Sequence, residues 1–123
     1  MLARRFAMLF GAFLIIEGVW GLFSPVVFGV LSTNTLHACI EIVLGILGIL
    51  AGRGMGTRNW LLGVGALILV VGVLRFIPGG RDLVVSLLNV NFAVAWLNIV
   101  VGVICLLIGA SAPRSDTAPS SVG

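Results

Sequence analysis

Apolar residues run along this chain in four long blocks separated by short polar breaks. Residues 6–23, 36–51, 60–77 and 92–110 are each nearly free of charge. A bilayer hydrocarbon core about 30 Å thick takes about 20 apolar residues in a helix, so each block predicts a transmembrane helix, the short second one with local thinning of the lipid. Two shorter apolar stretches lie between the blocks. Ser24-Pro25 leads into Val-Val-Phe-Gly-Val-Leu, and Pro78-Gly79-Gly80, followed by Arg81-Asp82, leads into Leu-Val-Val-Ser-Leu-Leu. They are too short to span and too apolar for a free aqueous loop, which predicts short helices or partly re-entrant turns at the outer interface. Pro25 and Pro78 stop the preceding helices because proline supplies no interior amide hydrogen. From Ser111 onward the chain turns to Ser, Pro, Thr and Ala, which bury too little apolar surface to order a segment. Residues 1–110 are thus expected as a transmembrane domain and 111–123 as a disordered cytoplasmic tail.

Composition fixes the class. The 123 residues are 60% hydrophobic and 9% charged, with a mean hydropathy of +1.27, whereas a typical soluble domain is about a quarter charged. This describes an all-α integral membrane protein and excludes a soluble enzyme, a nucleic-acid-binding domain and a disordered regulator. The net charge of +3 comes from seven basic residues, all Arg, scattered between apolar blocks with no stripe to follow a phosphate backbone. Arg4, Arg5, Arg53, Arg58 and Arg114 fall on one side of the four spans, Arg75 and Arg81 on the other. That bias predicts both termini and the central loop on the cytoplasmic side. The N-terminal stretch resembles a signal peptide, but it exceeds the usual apolar core and no small-x-small site precedes Pro25, so retention as an anchor is expected.

The chain aligns with itself. An offset of 54 places Arg4 over Arg58, Gly11 over Gly65, Ala12 over Ala66 and Gly18 over Gly72; an offset of 57 then aligns Asn34 with Asn91, Glu41 with Asn98, Gly45 with Gly102 and Gly52 with Gly109. This predicts two tandem helical hairpins entering from the same side, a parallel repeat. Each span carries a glycine pair seven residues apart: Gly11 and Gly18, Gly45 and Gly52, Gly65 and Gly72, Gly102 and Gly109. In lipid no hydrophobic force presses helices together, so small residues on one stripe let backbones approach and gain dispersion contacts, which predicts a compact four-helix bundle. Gly48 and Gly52 form a GxxxG that suits packing within the chain or between two copies.

Ionisable groups inside the spans are the candidate chemistry. A rise of about 1.5 Å per residue puts Glu17, His37, Glu41, Arg75 and Asn98 in one layer of the outer half of the membrane. Each buried ion costs at least about 2.5–3.5 kcal/mol, so these side chains are expected to point inward and share partners. The simplest arrangement has Arg75 bridging both carboxylates while Asn98 and His37 supply the remaining hydrogen bonds. Two carboxylates against one guanidinium leave a surplus charge, so either His37 or one glutamate holds a proton. Two readings compete: a proton relay or cation site opening on the outer surface, and a polar layer that fixes helix register. The inner half offers only Gly, aliphatic residues and Cys105. The two cysteines differ in depth by about 13 Å, beyond the roughly 7 Å limit for bridged Cα atoms, so each is expected as a small core residue. They make no zinc or iron–sulfur cluster, and no metal or other cofactor is expected. Trp20, Trp60 and Trp96 read as interfacial or packing aromatics, Trp60 at the cytoplasmic boundary.

Two stretches carry a resemblance. VFGVLSTNTLHACIEIVLGILGILAGRG, from Val27 to Gly54, resembles a motif of the bacterial four-span proteins grouped as DUF4383, with its Asn, its Leu-His pair and its Gly-rich second helix. LLNVNFAVAWLNIVVGV, from Leu87 to Val103, is similar to that family's fourth-helix motif. The sequence departs from the pattern where a second His is usual in each motif, because Glu41 and Asn98 stand there, and no Asp-Asn pair precedes Trp96. The resemblance implies a four-span fold in a bacterial, actinobacterial inner membrane and supplies no reaction.

No nucleophile–base pair, phosphate loop or metal cluster stands out, so an enzyme is the weakest expectation. The leading one is a non-catalytic accessory or scaffold subunit that docks lipid-facing helices and outer loops onto a larger membrane complex, such as a transporter or lipid-handling assembly. The alternative is a small homo-oligomeric proton- or cation-coupled transporter using the polar layer.

Overall fold

In the computed structural model, which describes residues 2–54 and 56–112, four long helices and one short helix account for most of the described residues. They are α1 (Leu2–Phe23), α2 (Thr35–Arg53), α3 (Thr57–Leu74), α4 (Gly80–Leu88) and α5 (Phe92–Ser111). All but α4 are long and apolar enough to cross a membrane. The expected tail and Arg114 lie outside the described residues, apart from Ser111, which closes α5, and Ala112, its cap. The third span ends at Leu74 rather than at residue 77, because the chain turns through Arg75–Gly79 with Phe76 N–H bonding the Val73 carbonyl at 3.0 Å.

The helices pair as two hairpins, α1 with α2 and α3 with α5, with far fewer contacts between the pairs. Glycine sets both pairings. A methyl group added at Gly11 would lie 2.6 Å from the Gly45 carbonyl oxygen, and one added at Gly65 would lie 3.0 Å from that of Gly102. Gly18 and Gly72 meet the carbonyls of Ala38 and Ala95, 2.7 Å in each case. These pairs coincide under the 54- and 57-residue offsets, so the repeat in the sequence is a repeat of contacts. Gly48 and Gly52 are also used within the chain, against the Trp60 ring and the Arg4 and Met8 region respectively.

At the end carrying Arg75 and Arg81, the two hairpins are joined by exchanged loops. The first outer loop is an antiparallel β-hairpin, Val26–Val27 (β1) with Leu31–Ser32 (β2), not the short helix that length and hydrophobicity allowed. Its β-branched valines favour extended backbone. Its turn needs two left-handed residues, Phe28 (φ 56) and Gly29 (φ 77), the backbone of a type I′ turn. The strained Phe28 is held by its ring, which stacks on Phe13 at 5.8 Å and tilts against Trp20 at 4.8 Å. The second outer loop is the expected short helix, α4, ended by Asn89 in the left-handed region. The β-hairpin packs on α1 and α5, and α4 packs on α3 and α2. Each loop therefore reaches the second helix of the other hairpin, as a pseudo-two-fold axis along the bundle requires.

The N-caps follow the same symmetry. Asn34 and Asn91 accept from the backbone amides of His37 and Val94, at 2.8 and 2.9 Å, satisfying first-turn N–H groups of α2 and α5. At the opposite end Thr57 donates to Ala51 O at 2.8 Å, and Arg58 donates to the carbonyls of Gly109, Ala110 and Ala112, each at 3.1 Å. These bonds satisfy the orphan carbonyls where α2 and α5 end.

Candidate functional site

Between the two hairpins lies a cavity of about 100 Å³. Its walls come in repeat-equivalent pairs: Phe13 with Leu67, Leu14 with Ile68, Ile40 with Leu97, Leu44 with Val101, and, at its polar end, Glu17 with Val71 and Glu41 with Asn98. The cavity thus sits on the pseudo-two-fold axis, where the sparse contacts between hairpins leave a gap. Symmetry in shape is broken in chemistry, since the carboxyl groups belong to the first hairpin alone.

Glu17 stands on α1 immediately before Gly18, and Glu41 stands on α2 immediately before Ile42, the residue Gly18 touches. That close approach places the two carboxyl groups side by side on the wall of the cavity. Glu17 is 5% exposed. His37 lies one turn before Glu41 on the same face of α2. Its Nδ1 donates to the Leu88 carbonyl at the end of α4, at 3.0 Å, so this nitrogen carries the hydrogen and Nε2 is left facing Glu41 at 3.7 Å. The result is a row of three proton-exchanging groups, Glu17, Glu41 and His37, anchored to the outer loop through one backbone bond. Two carboxyl groups at this range share a proton or take up a cation, because both cannot remain ionised side by side in a medium of low dielectric.

The structure brings together four of the five residues that depth alone assembled. Asn98 lines the cavity on the wall contributed by α5, and among the described residues its amide has no hydrogen-bond partner. Arg75 is elsewhere, which corrects the expected bridge to the carboxylates. Its Nε donates to Val90 O at 2.8 Å and its guanidinium covers the Phe92 ring at 4.2 Å, outside the cavity. The physical reason is depth: Arg75 caps α3 with helical backbone (φ -61, ψ -25) four residues beyond Val71, the equivalent of Glu17, so it stands about 6 Å farther out, beside Val90 and Phe92 at the start of α5. In the first hairpin the equivalent of Arg75 is Gly21, which packs on Thr33, the equivalent of Val90. Both positions serve the loop. Arg75, Arg81 and the exposed Asp82 line shallow outer depressions. The glycine pairs named from spacing all lie at helix contacts. Both cysteines are free, Cys105 buried against Gly65 and Cys39 exposed. Among the described residues no group of three His, Cys, Asp or Glu is arranged to hold a metal.

Reading by depth missed Asn34 and Asn91, which cap helices and tie the two loops together. Their signal was present, since each precedes a long apolar run and the 57-residue offset superposes them. It also missed the Leu88 carbonyl, which has no side-chain signature.

No curated protein and no solved structure matches the chain. The sequence model described as "Domain of unknown function (DUF4383)" matches residues 4–111, the stretch that holds all four spans and the cavity. With that match added to four membrane-spanning helices and the motifs around His37 and Asn98, this chain belongs to the DUF4383 family.

Proposed function

We propose that this is a non-catalytic protein of a bacterial inner membrane, with its termini and the α2–α3 loop cytoplasmic, and that it works as a small proton- or cation-coupled transporter. The orientation rests on Arg4, Arg5, Arg53 and Arg58 standing at one end against Arg75 and Arg81 at the other. The observation that carries the functional reading is the Glu17–Glu41–His37 row at the polar end of a cavity between two loosely joined hairpins. Ionisable groups are costly in a membrane and mark ion or proton pathways when they face an internal cavity. The pseudo-two-fold arrangement supports a rocking of one hairpin against the other around a fixed site, the usual geometry of alternating access. Reconstituted into vesicles, the protein should carry flux driven by a pH gradient, and Glu41→Gln should abolish it. Equal flux in wild type and variant removes this reading.

A second reading is favoured by a different observation. Of the most apolar window in α3 and in α5, 28% is buried within the chain, and Leu67, Val70, Val100 and Leu107 are among the exposed side chains. Such faces support an accessory or scaffold subunit docked on a larger membrane complex or on further copies of itself. Cross-linking in native membranes followed by mild-detergent purification tests it. Recovery as an isolated monomer from cross-linked membranes would count against it.

A further inference from the structure

We propose that the inter-hairpin cavity binds a small alkylammonium: a primary amine whose charged head sits between Glu17, Glu41 and Asn98 and whose short hydrocarbon tail lies against the apolar wall. This deepens the transport reading and rests on it for the site's purpose, but the binding itself stands on separate observations. The first is charge. Glu17 is 5% exposed and lines the cavity, and among the described residues no Arg or Lys pairs with either carboxyl group. Arg75 is committed to Val90 and Phe92. A cation entering the cavity supplies the counter-charge that the protein withholds.

The second observation is the uncommitted amide of Asn98 on the α5 wall. The amide is half-buried, and its oxygen is an acceptor for one ammonium hydrogen while the carboxyl groups take the others. An ammonium has three donors in a compact head, which matches three acceptors converging from α1, α2 and α5. The third observation is shape. Below the polar end, Phe10, Leu14, Leu44, Ile68 and Val101 continue the cavity. A cavity of about 100 Å³ has room for a chain of about three carbons along this apolar length. A hydrated inorganic cation would leave this apolar length empty, and a neutral alcohol would leave the carboxyl pair without its counter-ion.

Equilibrium dialysis of radiolabelled n-propylamine against the full chain in lipid nanodiscs tests this, with empty nanodiscs subtracting partition into lipid. The expected result is one saturable site per chain for propylammonium, weakened about tenfold or more by Glu41→Gln, and no saturable component for n-propanol. The wild-type comparison of amine with alcohol needs no variant and stands if Glu41→Gln fails to fold. Absence of a saturable component, equal saturable binding of propanol, or unchanged affinity in a folded Glu41→Gln would each overturn the proposal. Saturable amine binding without pH-driven flux keeps the site and removes the transporter. Flux without amine binding keeps the transporter and removes this ligand class.

Discussion

Asn34 and Asn91 exchange the same hydrogen bond between the two halves of the molecule. Asn34 Nδ2 donates to Leu87 O at 2.8 Å, and Asn91 Nδ2 donates to Val30 O at 2.9 Å. Leu87 is the 57-residue equivalent of Val30, so the pair is reciprocal about the pseudo-two-fold axis. Near that axis Ser32 donates to Asn89 O, and Asn89 donates to Thr33 O at 2.8 Å. These outer-end bonds tie the hairpins where their helices barely touch, and they frame the cavity from above.

Each asparagine does two jobs, as helix N-cap and as inter-hairpin donor. Loss of a cap costs about 0.5–2 kcal/mol and loss of a neutral hydrogen bond about 1 kcal/mol. Asn34→Ala and Asn91→Ala are therefore expected to destabilise the fold by about 1–3 kcal/mol each. Equilibrium unfolding in mixed micelles reads this. Asn91→Asp, which keeps the cap acceptor but removes the donor, should recover part of the loss.

Helix contacts should respond to glycine substitution by position. Gly11→Ala forces a methyl to 2.6 Å from the Gly45 carbonyl, and overpacking of this kind costs about 1–3 kcal/mol. Gly63→Ala meets nothing within 4 Å and should be neutral or stabilising by up to about 1 kcal/mol through helix propensity. The same unfolding assay compares them. Equal effects would mean that α1 and α2 do not approach at Gly11.

Arg75 offers a test of where the cation belongs. Arg75→Met removes the bond to Val90 O and the contact over Phe92, worth together about 1–3 kcal/mol. It should leave pH-driven flux and amine binding at Glu17 and Glu41 intact. If Arg75→Met abolished them while the fold survived, Arg75 would be the carboxylates' counter-ion after all.

Arg58 closes the other end of the bundle. Its Nη1 donates to three carbonyls at the end of α5, and bonds to a charged donor are worth about 1.5–3 kcal/mol. Arg58→Gln should fray the last turn of α5 first, seen as faster hydrogen exchange at Leu107–Ser111 with little change near Asn98. Uniform loss of protection would contradict a local capping role.

The four spans, the tandem repeat and the glycine contacts were legible because each is a one-dimensional property: run length, offset and spacing along a helix stripe. The depth of the polar layer was legible for the same reason. Relative depth between the hairpins was not. Arg75 stands four residues beyond Val71, the equivalent of Glu17, which puts it about 6 Å farther out, beside Val90 and Phe92. The first outer loop and α4 read alike in hydropathy, yet Phe28-Gly29-Val30 reverses the chain between two short strands while Pro78-Gly79-Gly80 opens a helix. Phe28 in a left-handed conformation is held by contacts with Phe13 and Trp20, which are distant in sequence. The cavity was invisible because it is a gap between units, defined by what the hairpins do not touch.

Glu17 and Glu41 are the two glutamates of the chain, so selective labelling of glutamate side-chain carboxyl carbons with carbon-13 reports on this pair alone. Solid-state NMR of the labelled protein in bilayers, diluted with unlabelled chain to remove contacts between copies, measures their separation directly. Carboxyl groups in hydrogen-bonding reach, with oxygens about 2.5–3 Å apart, should give a strong carbon–carbon dipolar coupling. Two isolated signals with no coupling between them would contradict the shared site on which the account of this protein depends.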